Sequence, residues 1–256
     1  MIIALTNDDG IQAPGLRAMY AALVRAGHTV HCIAPVTEQS AVGHAVTIAM
    51  PLRVKEFHEN GFRGKGVYGT PVDCVKLGLS RLLEEKPDLV VSGINAGGNV
   101  GPDILYSGTV SAATEGAHMG YPSLAVSYDN FRPGDLSGQA DFAVELIGNM
   151  PWNNLPPRCV MNLNFPHLPM DSVKGLRVCP QTSAVWKDWY DHRQDPRGTD
   201  YWWLDGVIPA DTVAPGTDRA LLTDGYITLT PLRFEFTDIA TMEALRVLDT
   251  NNTDAE

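Results

Sequence analysis

Two adjacent carboxylates, Asp8 and Asp9, stand just past the apolar run "MIIAL" at the start of the chain. Side by side they repel, and each loses hydration if the end of that run is buried. A bound cation would offset both costs. Two further polar clusters sit in the same kind of place. "HCIAP" runs into Glu38-Gln39-Ser40, with Gly43-His44 just beyond, and "LVVSG" runs into Ile94-Asn95-Ala96-Gly97-Gly98-Asn99. Carboxylates, a hydroxyl and an amide carbonyl are hard oxygen donors. They suit one divalent ion, Mg²⁺ or Mn²⁺ with retained waters, and Ca²⁺ is a third option. Zinc prefers imidazole or thiolate. His28 and His31 stand at a ligand-like spacing but read as structural or surface histidines. For the Asp pair alone, a turn with one Asp capping the next helix and the other facing water is a competing reading. Three clusters of one chemistry weigh against it.

An anion site lies close by in sequence. Gly97, Gly98 and Gly101 allow backbone amides to approach a ligand, and Asn99 stands among them. Ser107-Gly108-Thr109 opens a helix of small residues. Its free N–H groups, two hydroxyls and positive dipole end would cradle a phosphate, although a plain Ser/Thr cap explains the same residues. A divalent cation beside an anion pocket is the equipment for hydrolysing a phosphate monoester. The chain has no G-x-x-x-x-G-K-[ST] loop, no G-x-G-x-x-G after its first strand and no G-x-S-x-G elbow.

Residues so far apart can meet only if regular elements bring them together. "MIIAL" has strand length. Pro14 opens a helix with Leu16, Met19, Tyr20, Leu23 and Val24 on one face, closed by Gly27. "TVHCIAP" is the next strand. Thr70-Pro71-Val72-Asp73 is a helix start, with Val72, Val75, Leu79, Leu82 and Leu83 as its buried stripe. The strand "PDLVVSG", the glycine loop, a helix from about Thr109 to His118 and the strand "PSLAVS" follow. Alternating strands and helices, with near-continuous apolar strands, predict an α/β fold with a mostly parallel sheet flanked by helices. Parallel strands place all three loops at one sheet edge, where ligands of such folds bind.

Beyond about residue 150 the texture changes. "RCVMNLNFP" reads as the last strand of the main sheet, and strand-like pieces dominate from Gly175 onward. "SAVWKDWYDHRQDPRGTDYWW", rich in aromatics and charges, reads as an extended arm or hairpin of the kind that packs on another subunit, or else as a surface loop. "TDIATMEALRVLD" reads as a final helix and "TNNTDAE" as a frayed tail. The best partition is one domain over 1–256 with a β-rich extension at about 175–236.

For a chain of 256 residues, a net charge of -11 argues against a nucleic-acid polymer or an anionic membrane as partner, since both need a basic face. No apolar stretch approaches a membrane span, and the first residues are too short a run for a signal sequence. Cys32, Cys74, Cys159 and Cys179 show no metal-type pairing and read as buried reduced thiols of a cytoplasmic protein.

The blocks "TNDDGIQAPGL", "EQSAVGHAVT", "YGTPVDCVKLGL", "KPDLVVSGINAGGNVGPDILYSGTVSAATEGA", "DPRG" and "GTDRALLTDGYITLTPL" occur in order. This chain resembles the SurE family of 5′/3′-nucleotidases over nearly its whole length. The resemblance implies a Rossmann-like α/β domain whose β extension is exchanged in a homodimer or homotetramer. It implies one divalent cation held by Asp8, Asp9, Ser40 and Asn95, with the two aspartates as catalytic residues. It implies phosphate release from nucleoside 5′- and 3′-monophosphates and, in some members, from short polyphosphate. Pro102-Asp103 departs from the usual acidic pair, Ala41 replaces a common glycine, and 180–193 matches poorly. Two other readings stay open on the residues alone: a nucleotide-sugar glycosyltransferase half, and a metal-stabilised nucleotide-binding regulator that does not hydrolyse its ligand.

Overall fold

The computed structural model describes residues 1–249; the "TNNTDAE" tail lies outside the described residues. The chain builds one nine-stranded mixed sheet, in the order β3-β4-β2-β1-β5-β6-β7-β11-β8. β1 (Ile2–Thr6) leads through α1 (Pro14–Arg25) to β2 (Thr29–Pro35). A long irregular segment, 36–53, precedes the hairpin β3 (Val54–Glu59) and β4 (Phe62–Val67). Then come α2 (Pro71–Leu77) and β5 (Leu89–Ala96). α3 (Gly108–His118), β6 (Ser123–Tyr128), α4 (Ser137–Asn149) and β7 (Cys159–Phe165) complete the parallel part. β4, β2, β1, β5, β6 and β7 are mutually parallel neighbours.

Both faces of the sheet are covered. Successive strand residues point to opposite faces, so Cys32 and Ala34 join the cluster of Leu16, Met19 and Leu23 from α1 and Ala143 and Ile147 from α4. Ile33 between them packs instead with Val67 and Cys74. Val160 and Ala125 meet Val110, Ala113 and Ala117 of α3. Burial on both faces explains why these strands read as unbroken apolar runs. The alanine and glycine content of α3 lets it lie deep: every residue from Gly108 to Ala117 is buried.

Several expectations need correction. β7 is not the last strand of the main sheet, because β11 (Ile227–Arg233) pairs with it antiparallel and β8 (Leu176–Val178) follows on β11. "ITLTPL" contributes four consecutive buried residues, which earns it a place inside the sheet. α2 stops at Leu77 and loosens into a π turn over Gly78–Leu82, so Leu79, Leu82 and Leu83 are only half-buried. Val24 of α1 is exposed. The C-terminal part forms no second α/β lobe among the described residues, which removes the cleft that a glycosyltransferase half would need. Instead, β9 (Lys187–Gln194) and β10 (Asp200–Val207) make a separate antiparallel hairpin. α5 (Asp218–Thr223) leads back to β11, and α6 (Ile239–Leu245) is the final helix.

Candidate active site

β1 is the point where the strand order reverses. The chain proceeds to β2 on one side of it, and β5 pairs on the other. Helices after neighbouring strands leave on opposite faces at such a point, so a crevice opens beyond the strand ends. Asp8 and Asp9 follow β1 there, Asn95 stands near the end of β5, and Ser40 comes from the segment after β2. All four line one cavity of roughly 560 Å³, as do Gly97, Asn99 and Ser107. Gly108 and Thr109 do not line it; they stand behind Asp8.

Local contacts orient each donor. Asp8 is buried, and the Thr109 hydroxyl donates to its Oδ1. Only glycine fits at 108, since a Cβ there would stand 2.6 Å from the Asp8 Cβ. Asp9 Oδ2 accepts the Ala96 amide at 3.0 Å, which ties the end of β1 to the end of β5. Asn95 Nδ2 donates to the Gly97 carbonyl at 2.8 Å, so its Oδ1 is the end left for a ligand. The Ser40 hydroxyl donates to Glu38 at 2.6 Å. The Gln39 amide donates to the Asp8 carbonyl at 2.8 Å and brings that loop alongside the first.

The proposed phosphate side is equally constrained. Gly97 has φ +116°, a conformation that L side chains rarely adopt, and its amide donates to the Tyr128 carbonyl. Asn99 is buried in a polar lattice: its side-chain amide donates to Ser127, and its carbonyl accepts from Asn162 and Asn164. Ser107 caps α3 by accepting the Val110 amide at 3.1 Å. The capping role weighed for Ser107-Gly108-Thr109 is thus present, and Thr109 serves Asp8 directly.

The electrostatics of the pair follow from this packing. Burial pushes the Asp8 carboxyl above its ordinary range, only partly countered by the Thr109 hydroxyl. Asp9 is pushed up to about 7, first by burial and then by the charge of Asp8. Glu38 raises both further. A crevice that penalises its own negative charge is one that a cation stabilises. Among the described residues no three His, Cys, Asp or Glu side chains converge as a ligand group. The donors are therefore two carboxylates with neutral oxygens, a set that fits a hard divalent ion and leaves room for waters.

Sequence reasoning missed parts of this site. Glu38 was visible in its cluster, but nothing marked it as a charge neighbour of both aspartates. Asp103, Tyr106, Phe131 and Trp186 also line the cavity; their approach depends on loops whose paths no local pattern reveals. Asp218 is another. Fully buried, it accepts the amides of Gly101 and Thr182, both at 2.8 Å, and so fastens the root of the C-terminal arm to the glycine loop.

Fold and site together define an α/β protein with an acidic, oxygen-lined crevice at the switch point of a mostly parallel sheet. The family model described as "Survival protein SurE" matches residues 3–188. The chain belongs to the SurE family. It is 78% identical over 245 residues to a protein named 5′-nucleotidase SurE from Nitratidesulfovibrio vulgaris strain Miyazaki F, covering 96% of this chain and 91% of the relative. The like-named protein of Oleidesulfovibrio alaskensis is 75% identical, with 96% and 95% covered. The crystal structure of the SurE protein from Aquifex aeolicus superposes with a TM-score of 0.84 at 34% identity, covering 98% of this chain and all of the other.

Proposed function

We propose that this chain is a divalent-cation-dependent phosphomonoester hydrolase that releases phosphate from nucleoside 5′- and 3′-monophosphates. The observation that carries the proposal is the adjacent Asp8 and Asp9 on one cavity wall, Asp8 buried and Asp9 half-buried, each with one carboxylate oxygen held by a hydrogen bond. The names of the relatives, 5′-nucleotidase SurE, supply the nucleotide. A cation held by Asp8, Asp9, Ser40 and Asn95 would neutralise phosphoryl charge and lower the pKa of water. Gly98 and Ser107, on the cavity wall at the glycine loop and the start of α3, would bind and orient the phosphate. Asp9, fixed through Oδ2 by the Ala96 amide, presents Oδ1 to take the proton of the attacking water. Thr109 holds Asp8 in register, so that the donors need no rearrangement as charge develops.

The hairpin supports a homo-oligomer, dimer or tetramer. Trp189, Tyr190, Trp202, Trp203 and Leu204 are exposed together in the single chain, and clustered apolar exposure of this kind marks an interaction surface. No helix among the described residues is long and apolar enough to cross a membrane. Four free cysteines support a reducing, cytoplasmic setting.

Phosphate release from 5′-AMP and 3′-AMP, measured with Mn²⁺, with Mg²⁺ and with EDTA, tests the reading. Activity that appears with the cation, disappears with EDTA and is lost in Asp9→Asn is the expected result. Nucleotide binding without phosphate release under any cation would establish the regulator instead.

A further inference from the structure

Away from the carboxylates, the cavity changes character. Phe131, Tyr106 and Trp186 line it, and none of them is needed for the cation or the phosphate. Phe131 is 85% exposed, yet its ring lies over the glycine loop: a Cβ at Gly97 would stand 2.8 Å from its Cε1. Trp186 is held from behind. Its indole N–H donates to Asp103 Oδ1, and the other Asp103 oxygen accepts the Arg219 guanidinium, whose carbon is 5.9 Å from the Trp186 ring centroid. Trp186 also lines the adjoining groove at the root of the arm, so the ring is a partition between two cavities. Three rings from three separate segments thus border a cavity whose other lining is polar and acidic. Aromatic faces in such a place are suited to stacking a planar, apolar-faced group.

We propose that Phe131, Tyr106 and Trp186 form the nucleobase subsite, and that Asp103 with Arg219 is a positioning pair for Trp186. The inference rests on the nucleotidase reading and deepens it. Every base has a π-face, so stacking separates nucleotides from plain sugar phosphates while discriminating little among bases. Asp103, the carboxylate that remains of the family's usual acidic pair, thereby has a role in substrate choice.

The test compares AMP with ribose 5-phosphate, and adds calorimetric titration with adenosine, which carries no phosphate. Phe131→Ala and Trp186→Ala are expected to raise KM for AMP by roughly 5- to 20-fold each, the scale of one lost stacking contact. Their kcat for AMP and their kcat/KM for ribose 5-phosphate should stay at the wild-type level. Trp186→Phe should restore most of the affinity, and Asp103→Asn should weaken AMP without touching ribose 5-phosphate. Equal losses on both substrates, or an unchanged KM for AMP, would overturn the proposal. If neither ester is hydrolysed with any cation, the nucleotidase reading fails separately. Adenosine binding by the wild type that weakens in Phe131→Ala and Trp186→Ala would still uphold the subsite, and no binding by the wild type would remove it.

Discussion

At the scale of single residues, the site is governed by the cost of keeping two charges side by side out of water. Asp9 holds its proton up to about pH 7 in the folded chain without cation, whereas an unfolded Asp releases it near about 4. A carboxyl raised in this way stabilises the fold fully below the unfolded pKa, and that stability is lost as pH rises through 7. The melting temperature of cation-free protein should therefore fall between about pH 4 and pH 7. Asp9→Asn should flatten that decline and melt higher than wild type at pH 8 while losing turnover by about 10²-fold or more. Scanning calorimetry across pH, with and without Mn²⁺, checks both, and added Mn²⁺ should restore wild-type stability at pH 8 because only the ionised pair binds it. Thr109 acts on the other carboxylate. Its hydroxyl lowers the Asp8 pKa, so Thr109→Val should move the acidic limb of the pH–rate profile to higher pH.

At the scale of elements, the segment 36–53 decides whether Ser40 reaches the site. It has no regular structure of its own, and its return path is pinned by side chains of α2 and α3. Glu115 of α3 accepts from His44 at 2.9 Å and from Lys76 at 2.7 Å. Asp73 of α2 accepts the Thr47 amide and hydroxyl while also closing the Thr70 capping box. The Glu115 carboxyl is held down to about 2, foremost by the bond from His44. Depressed in the fold, it adds stability above its unfolded pKa of about 4.3 that is lost as pH falls toward 2. Glu115→Gln should cost about 1–2 kcal/mol at neutral pH. It should also weaken Mn²⁺ binding without altering any ligand, since His44 lies four residues from Ser40 in the same segment. Urea unfolding and a Mn²⁺ titration read the two effects.

For the whole molecule, the hairpin is the part that the single chain does not accommodate. Its register alternates aromatics on both faces, with Trp202 opposite His192 and Trp203 opposite Asp191, and neither face packs on the main sheet. A two-stranded ribbon of this kind is marginal unless something covers it. Replacing Trp202 and Trp203 together by Ser should lower the oligomeric state seen by sedimentation. A sedimentation profile identical to wild type would show that these rings lie outside the contact. Because Asp218 ties the root of this arm to the glycine loop, the same double variant should also raise KM for nucleotide.

The paired carboxylates, the oxygen clusters at strand ends, the alternation of strands with helices and the buried helix after Ser107 were all legible from residue order. Each rests on a local rule: side-chain periodicity, capping chemistry or the cost of adjacent like charges. The hairpin β3–β4 was not legible, because β3 is mostly exposed and β4 is broken by Gly64 and Gly66. The placement of β11 and β8 beyond β7 was equally hidden, since strand order depends on long-range pairing that no local window contains. The aromatic border of the cavity, the turn of Thr109 onto Asp8 and the buried clasp at Asp218 joined residues up to 117 positions apart. Local chemistry chose which groups could act, and the sheet's reversal at β1 decided which of them would meet.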